Sequence, residues 1–168
     1  VVAAVLSSDL PVVVDADALF WAAANPAVLR RRAATILTPH PGEMRGLAAA
    51  LQIDGALPRN MLAEQVARKT GATVVYKGLG TVVASPGGGA TVNTSGNAGL
   101  STAGSCDVLA GMIGGFLAQG MSATAACRAA VFLHGLAAEL APAWARTLAA
   151  DDLLALIGPA FQQLTPFA

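Results

Sequence analysis

Short apolar runs alternate with longer helical segments along most of the chain. The runs Val12 to Val14, Thr35 to Leu37 and Thr73 to Tyr76 are rich in β-branched residues, as the buried strands of parallel sheets are. Val82 to Ser85 and Ala90 to Asn93 flank a proline and three glycines, and this pattern predicts a β-hairpin.

Helices are predicted between the strands and after them. They cover about residues 18–24, 43–51, 61–70, 106–119, 123–141 and 150–157. Strands that alternate with helices, followed by a helical tail, predict an α/β fold with a mostly parallel sheet. We find neither an internal repeat nor a linker, so residues 1–168 are predicted to form one domain. Because a core strand begins soon after Val1, we expect the N-terminal portion of that domain to be missing from the sequence.

Composition narrows the class of protein. Hydrophobic residues make up 55% of the chain and charged residues 12%, and a buried sheet between Ala-rich helices would produce such values. The longest charge-free run, Val108 to Ala126, divides at Gly120, so no membrane span is predicted. A net charge of +0 argues against recruitment to nucleic acid or membrane. Two cysteines, Cys106 and Cys127, are too few for a disulfide framework or metal cluster and indicate reduced thiols in the cytoplasm.

The segment Gly96 to Asp107 is rich in glycine, serine and threonine and leads into a predicted helix. Glycines allow a backbone to approach an anion closely, and free N–H groups at a helix N-terminus favour negative charge. A carboxylate at Asp107, in the first turn, could take a proton from a hydroxyl that attacks a phosphate held there. The other interpretation is a flexible loop in which Ser105 caps the helix and Asp107 complements its dipole. From this segment alone, both interpretations stay open.

Two further segments carry candidate functional residues at strand ends. Lys77-Gly78-Leu79-Gly80-Thr81 follows the third strand, so its lysine could reach phosphate oxygens and its amides could face a nucleotide, although the order is not that of a Walker A motif. The alternative is a solvated lysine. His40 lies between Pro39 and Pro41, which fix its direction at the carboxyl end of a strand, where ligands bind in open α/β sheets. The alternative there is a rigid turn before a helix.

Three other polar residues stand out. Asp15 and Asp17 lie near the same edge and could orient a metal-bound phosphate or a sugar hydroxyl, or simply cap the following helix. His134 lies within an apolar helical run, which favours a satisfied packing histidine.

Taken together, these segments resemble the NAD(P)H-hydrate dehydratase family, whose domains are ribokinase-like and often fused behind an epimerase domain. The resemblance rests on ordered blocks that cover most of the chain: Val14–Leu19, Leu37–Glu43, Tyr76–Thr81, Gly96–Gly99, Gly104–Gly111 and Leu133–Ala137. It implies a three-layer α/β/α fold. It also implies an enzyme that phosphorylates the hydroxyl of hydrated NADH or NADPH with ADP or ATP and then eliminates phosphate, which restores the dihydronicotinamide.

The resemblance also implies a role for individual residues. Asp107 would be the catalytic base, and His40 and Asp107 would bind the hydrated dinucleotide. The adenine nucleotide would be held by Lys77, Gly78, Leu79, Gly80, Thr81 and Cys106. Magnesium would accompany the phosphates, whereas no metal site formed by the protein alone is predicted. A homo-oligomer, and fusion to or association with an epimerase domain, are further expectations.

Some positions depart from the family pattern, and two alternative functions remain. Cys106 stands where the family usually has glycine before the aspartate, and Phe20 stands where it usually has asparagine. A cysteine side chain would crowd the nucleotide, or carry strain if its φ were positive. One alternative is a ribokinase-like kinase of a small hydroxyl-bearing metabolite. The other is a nucleotide-binding remnant without catalytic activity.

Overall fold

A computed structural model of the chain describes residues 1–141 and 148–164. In that part of the chain the strands are Val12–Val14 (β1), Thr35–Leu37 (β2), Thr73–Tyr76 (β3), Val82–Ala84 (β4) and Ala90–Val92 (β5). The α-helices are Val2–Leu6 (α1), Asp17–Ala24 (α2), Pro41–Ala50 (α3), Arg59–Thr70 (α4), Ser105–Ala118 (α5), Ala123–Glu139 (α6) and Ala150–Leu164 (α7). Short 3₁₀ helices cover Pro26–Leu29 and Ala98–Leu100.

The five strands form one sheet in the order β1-β2-β3-β4-β5. β1, β2 and β3 pair in parallel, whereas β4 is antiparallel to both of its neighbours. Only β4 therefore runs against the common direction of the other four, as the predicted hairpin requires. The carboxyl ends of β1, β2 and β3 consequently meet at one edge of the sheet, where Asp15, Thr38 and Lys77 follow the strands.

Alternating side chains of the strands enter two separate cores, which makes the domain three-layered. On one face Val74 and Leu37 pack with the buried positions of α2, α3 and α4. On the other face Ile36, Val75 and Val83 pack against α5 and α6. α7 covers the outer side of α6 through a third cluster around Leu153. The expected α/β/α arrangement is confirmed, and the sheet is buried from β1 to β4, whereas the edge strand β5 is largely exposed.

The element boundaries differ from the sequence prediction in a few places. The short helix α1, Val2–Leu6, was not predicted. α3 begins at Pro41 instead of Glu43, because His40 caps it and the fixed φ of proline suits the first helical position. α7 continues to Leu164 through Pro159, beyond the predicted end at residue 157. Its apolar face stays buried through Ala160, so packing against α6 outweighs the helix-breaking tendency of the proline. The predicted end of α6 at residue 141 moves back to Glu139.

The high hydropathy of the chain belongs to these cores. Among residues 1–141 and 148–164, no helix is both long and apolar enough to cross a membrane.

Candidate functional site

A cleft of about 370 Å³ opens beside the strand edge at which the polar residues gather. One wall is the loop after β3, Lys77 to Thr81, and the opposite wall is the segment from Asn93 to Ser101. Its floor is formed by the start of α5, including Cys106, and by residues of α6 around His134. Two of the segments singled out in the sequence, Lys77 to Thr81 and Gly96 to Asp107, therefore contribute to one cavity, although residues 82–95 separate them.

The loop after β3 depends on two glycines for its shape. Gly78 has φ 139° and Gly80 has φ 65°, conformations that side chains rarely tolerate. A Cβ atom at Gly78 would lie only 3.0 Å from the guanidinium of Arg59, so the space there is also filled. The Thr81 hydroxyl donates to the Gly78 carbonyl at 3.0 Å and closes the turn. The loop is thereby held in a tight turn that lines the cleft, and Leu79 at its tip is fully exposed.

The ammonium of Lys77 is bound by carboxylates. Nζ donates to Oδ1 of Asp15 at 2.7 Å and lies 4.0 Å from Oε2 of Glu43. Burial lowers the pKa of Lys77, but the hydrogen bond and charge of Asp15, with Cys106 and Glu43 behind them, outweigh it and the pKa is raised. Lys77 is therefore cationic, largely buried and paired with Asp15, unlike the solvated lysine of the alternative interpretation, and it is one of the residues that line the cleft.

The carboxylate that binds Lys77 precedes a strained residue. Ala16, between Asp15 and Asp17, has φ 50° and ψ −131°, a combination that costs a non-glycine residue about 1–3 kcal/mol. Asp17 begins the first turn of α2 without a capping hydrogen bond from Ala16. The chain turns sharply at Ala16. Asp15 therefore faces Lys77, whereas Asp17 lies in the first turn of α2.

His40 lies outside the residues that line the cleft and caps α3. Its Nδ1 accepts from the backbone N–H groups of Gly42 at 2.9 Å and Glu43 at 3.3 Å. In return the backbone N–H of His40 donates to Oε2 of Glu43 at 2.7 Å, which completes a reciprocal capping box. The rigid turn considered as an alternative is thus present, yet 53% of the imidazole surface remains exposed. The ring is fixed in direction and still accessible to a ligand.

The start of α5 joins the cleft to Asp107. Gly104 precedes the helix with φ 83°, and a Cβ there would lie 2.8 Å from that of Ala150. Ser105 is buried, whereas Cys106 lines the cleft and Asp107 is exposed in the first turn. Ala16 and Gln52 are the only described non-glycine residues with positive φ, so Cys106 is not strained. The thiol lines the pocket, and the strained geometry considered for this departure does not occur.

His134 holds the first turn of α5 from below. Its Nε2 lies 2.9 Å from the Ser105 carbonyl oxygen and 3.3 Å from the Ser105 hydroxyl. Burial lowers the pKa of His134, while the hydrogen bond to the Ser105 backbone opposes that shift. The interpretation as a satisfied packing histidine is confirmed. Its position in the cleft floor was not predicted, because nothing local in the sequence of α6 indicates that α5 begins beside it.

The wall from Asn93 to Ser101 is attached to α6 by several hydrogen bonds. The Ser95 hydroxyl donates to the Phe132 carbonyl at 2.9 Å, and the Gly96 N–H donates to Oε1 of Glu139 at 2.6 Å. Gly135 makes this contact possible, since a Cβ there would lie 2.6 Å from the carbonyl carbon of Ser95. Sequence reasoning singled out Gly96 but missed Ser95, Glu139 and Gly135 as site components, although Gly135 inside an apolar helix was a usable signal.

The fold and the cleft together define a class. Three parallel strands end at the edge beside the cleft, a glycine-shaped loop follows β3, and a glycine at φ 83° introduces the helix whose first turn meets the cavity. These features, and the likeness to a ribokinase-like superfamily protein of Enterococcus faecalis (TM-score 0.71, 28% identity), define a ribokinase-like α/β fold.

The family follows from comparison with known proteins. The model of the NAD(P)H-hydrate dehydratase family matches residues 1–158, and the chain belongs to that family. It is 47% identical over 139 residues to a bifunctional NAD(P)H-hydrate repair enzyme of Mycobacterium leprae. It is 44% identical over 136 residues to an ADP-dependent (S)-NAD(P)H-hydrate dehydratase of Neisseria meningitidis. An ADP/ATP-dependent NAD(P)H-hydrate dehydratase of Bacillus subtilis, co-crystallized with ATP and Mg²⁺, has a similar structure with TM-score 0.78 and 34% identity.

The relatives are longer than this chain. The matched regions are 82% of the chain and 29% of the mycobacterial protein, and 79% of the chain and 46% of the neisserial protein. The structural match covers 95% of the chain and 57% of the Bacillus protein. The chain therefore spans between about a third and a little over half of these relatives.

Proposed function

We propose that the chain takes part in nucleotide-dependent repair of hydrated NADH or NADPH, by phosphorylation of the (S)-hydrate hydroxyl and elimination of phosphate. The observation that carries this proposal is the junction at the start of α5. Cys106 lines the cleft, and Asp107, the next residue in the first turn of α5, is exposed. The geometry supports a bound phosphate and an adjacent general base, which is what transfer to a hydroxyl requires.

The adenine nucleotide would occupy the cleft through backbone contacts. The loop Lys77 to Thr81 provides amide groups at two glycines, and the start of α5 provides N–H groups at the positive end of the helix dipole. Leu79, fully exposed at the loop tip, would pack on the base or ribose. Cys106 would lie beside the phosphates with its unstrained backbone. The volume of about 370 Å³ suits a ligand of this size.

The hydrated dinucleotide would then approach from the side of Asp107 and His40. Asp107 would take the proton of the hydrate hydroxyl as its oxygen attacks the terminal phosphate, so that ADP leaves as AMP or ATP leaves as ADP. His40, fixed in direction by the cap of α3 and half exposed, would orient the hydrate. The C–O bond of the new phosphate ester would then break and inorganic phosphate would leave, while loss of a proton from the adjacent ring carbon forms the C=C bond and restores the dihydronicotinamide.

Magnesium would be carried by the phosphates. The described residues contain no group of three or more His, Cys, Asp or Glu side chains that could hold a metal ion. A magnesium ion bound mainly to phosphates and water fits such a site, because Mg²⁺ commonly uses one or two carboxylates besides substrate phosphates. When bound, it would neutralise charge on the transferred phosphate, and Asp107 is the exposed carboxylate closest in sequence to the cleft wall.

Relatives support the substrates and one possible association. The neisserial relative is named ADP-dependent, and the Bacillus protein is named ADP/ATP-dependent and was co-crystallized with ATP and Mg²⁺, so either donor is a candidate here. The mycobacterial relative is named bifunctional, which supports fusion to or association with an epimerase domain. A homo-oligomer, a single domain and a cytoplasmic location remain predictions. Membership of the dehydratase family favours this activity over a kinase of another metabolite, and the unstrained Cys106 removes a reason to infer an inactive remnant.

The decisive experiment follows the absorbance of regenerated NADH from its hydrate, with ADP and ATP compared. Asp107→Asn should lower turnover by roughly 10² or more while ADP affinity, measured by calorimetry, stays nearly unchanged. Asp151→Asn is the matched control, because Asp151 is also an acidic residue in the first turn of a helix. Equal losses of affinity and rate in Asp107→Asn would identify a structural residue instead. No turnover of either hydrate by the wild-type chain would refute the proposed activity for this chain.

A further inference from the structure

Lys77 connects several elements at the edge of the sheet. Its N–H donates to the Pro39 carbonyl at 2.9 Å, and its own carbonyl accepts from Arg59 at 3.2 Å. Its ammonium is bound to Asp15, as described above. One residue thereby links the end of β1, the loop before α3 and the start of α4 to the end of β3. The backbone N–H, the backbone carbonyl and the ammonium of Lys77 thus each have a partner within the protein, and the ammonium partner is a carboxylate.

The second carboxylate near Lys77 leads directly to His40. Glu43 is buried, its Oε2 lies 4.0 Å from the Lys77 ammonium, and the same oxygen accepts from the His40 N–H at 2.7 Å. Oε1 of Glu43 lies 3.4 Å from Nε2 of the His40 ring. The side chain of Glu43 thus connects the ammonium of Lys77 to the exposed imidazole of His40. The same lysine is the first residue of the loop that lines the cleft.

We propose that Lys77 is a positioning residue that keeps the His40 side of the site in register with the nucleotide cleft, and that its ammonium is not a phosphate ligand. It acts through Asp15, which fixes the ammonium, and through Glu43, which holds both the backbone and the ring of His40. The substrate part of this inference rests on the proposed function, whereas the placement of His40 does not.

The buried carboxylates of Asp15 and Glu43 both depend on the ammonium of Lys77. Asp15 and Glu43 are largely buried, and a buried carboxylate without a cation is strongly unfavourable. Removal of the ammonium would therefore allow both side chains to move toward water, and Glu43 would lose its contacts with the backbone N–H and the ring of His40. Displacement of a binding group by about 1 Å is enough to cost up to 10²-fold in catalysis.

The test compares Lys77→Met with Lys69→Met in the full chain. Lys69 is a matched control, because its ammonium binds the carbonyls of Leu51 and Gln52 on the surface away from the cleft. For Lys77→Met we expect the Kd for ADP to stay within about threefold of the wild-type value, while the KM for the hydrate rises at least about tenfold. Lys69→Met should change neither. A loss of ADP affinity of about tenfold or more with an unchanged KM would overturn the proposal, since it indicates direct contact with phosphate.

A spectroscopic measurement separates this inference from the proposed activity. The chain has only two histidines, so the imidazole C–H resonances of His40 and His134 can be distinguished by NMR. In Lys77→Met the His40 resonance should move while that of His134 stays in place, whether or not the wild-type chain turns over the hydrate. An unmoved His40 resonance would refute the positioning role.

A second variant covers the case in which Lys77→Met does not fold. Asp15→Asn keeps the shape of the side chain and removes the charge that fixes Lys77. It should again shift the His40 resonance and raise the KM for the hydrate, by roughly threefold or more, with the Kd for ADP unchanged. A folded Asp15→Asn in which His40 and both constants equal those of the wild type would overturn the proposal.

Discussion

Gly135 is the point at which a single methyl group would disturb the wall of the cleft. In Gly135→Ala the new Cβ would lie 2.6 Å from the carbonyl carbon and 2.8 Å from the carbonyl oxygen of Ser95. Both are backbone atoms, so no side-chain rotation can relieve the overlap. The segment around Ser95 would have to move away from α6 and lengthen its hydrogen bonds to Phe132 and Glu139.

The magnitude follows from opposing effects. Overpacking typically costs about 1–3 kcal/mol, and each weakened hydrogen bond about 1 kcal/mol. Alanine in a helix interior is more favourable than glycine by about 1 kcal/mol. We therefore expect a net destabilisation of about 2–4 kcal/mol for Gly135→Ala, which corresponds to a melting temperature lowered by roughly 5–15 °C for a domain of this size.

Gly111→Ala is the matched control, because Gly111 is also inside a helix and nothing lies within 4 Å of a Cβ placed there. It should raise the free energy of unfolding by up to about 1 kcal/mol. Thermal unfolding with and without ADP measures both variants, and ADP affinity of Gly135→Ala should fall by roughly tenfold because its binding wall is displaced. If Gly135→Ala melts at or above the temperature of Gly111→Ala, the close approach of the two segments is wrong.

Two other predictions concern the floor of the cleft. An alkylating agent should label exposed Cys106 and spare Cys127, whose pKa burial raises to about 12, and ADP should protect Cys106; equal labelling with and without ADP would remove Cys106 from the nucleotide site. The pKa of His134 in the folded chain lies below its ordinary value of 6.5, so the unfolded chain binds a proton at this histidine more readily than the folded chain does as the pH falls. The free energy of unfolding should therefore decrease as the pH falls below about 6.5. Denaturant unfolding at several pH values should show a weaker pH dependence for His134→Gln than for the wild type. Identical pH profiles for the two proteins would contradict the lowered pKa of His134.

Local patterns in the sequence predicted most of the fold, since β-branched runs and Ala-rich segments each determine their own element. The three-layer arrangement and the expectation that Cys106 lies in the nucleotide site came instead from the resemblance to the dehydratase family. The pairing of Lys77 with Asp15 could not be predicted, because 62 residues separate them and a lysine at a strand end has many possible partners. The contact of Ser95 with Gly135 was missed for the same reason: only the packed structure brings their backbones together.

Ala16 has a consequence for anyone who wishes to make this domain more robust. Its positive φ marks a position where glycine would relieve strain, so a search for stabilised variants would select Ala16→Gly early. The same freedom would let the segment between Asp15 and Asp17 sample other directions. At the turn after β1, a substitution that relieves backbone strain would therefore also loosen the placement of Asp15 beside Lys77. A thermostable library should leave it fixed and draw its gains from open helical positions such as Gly111.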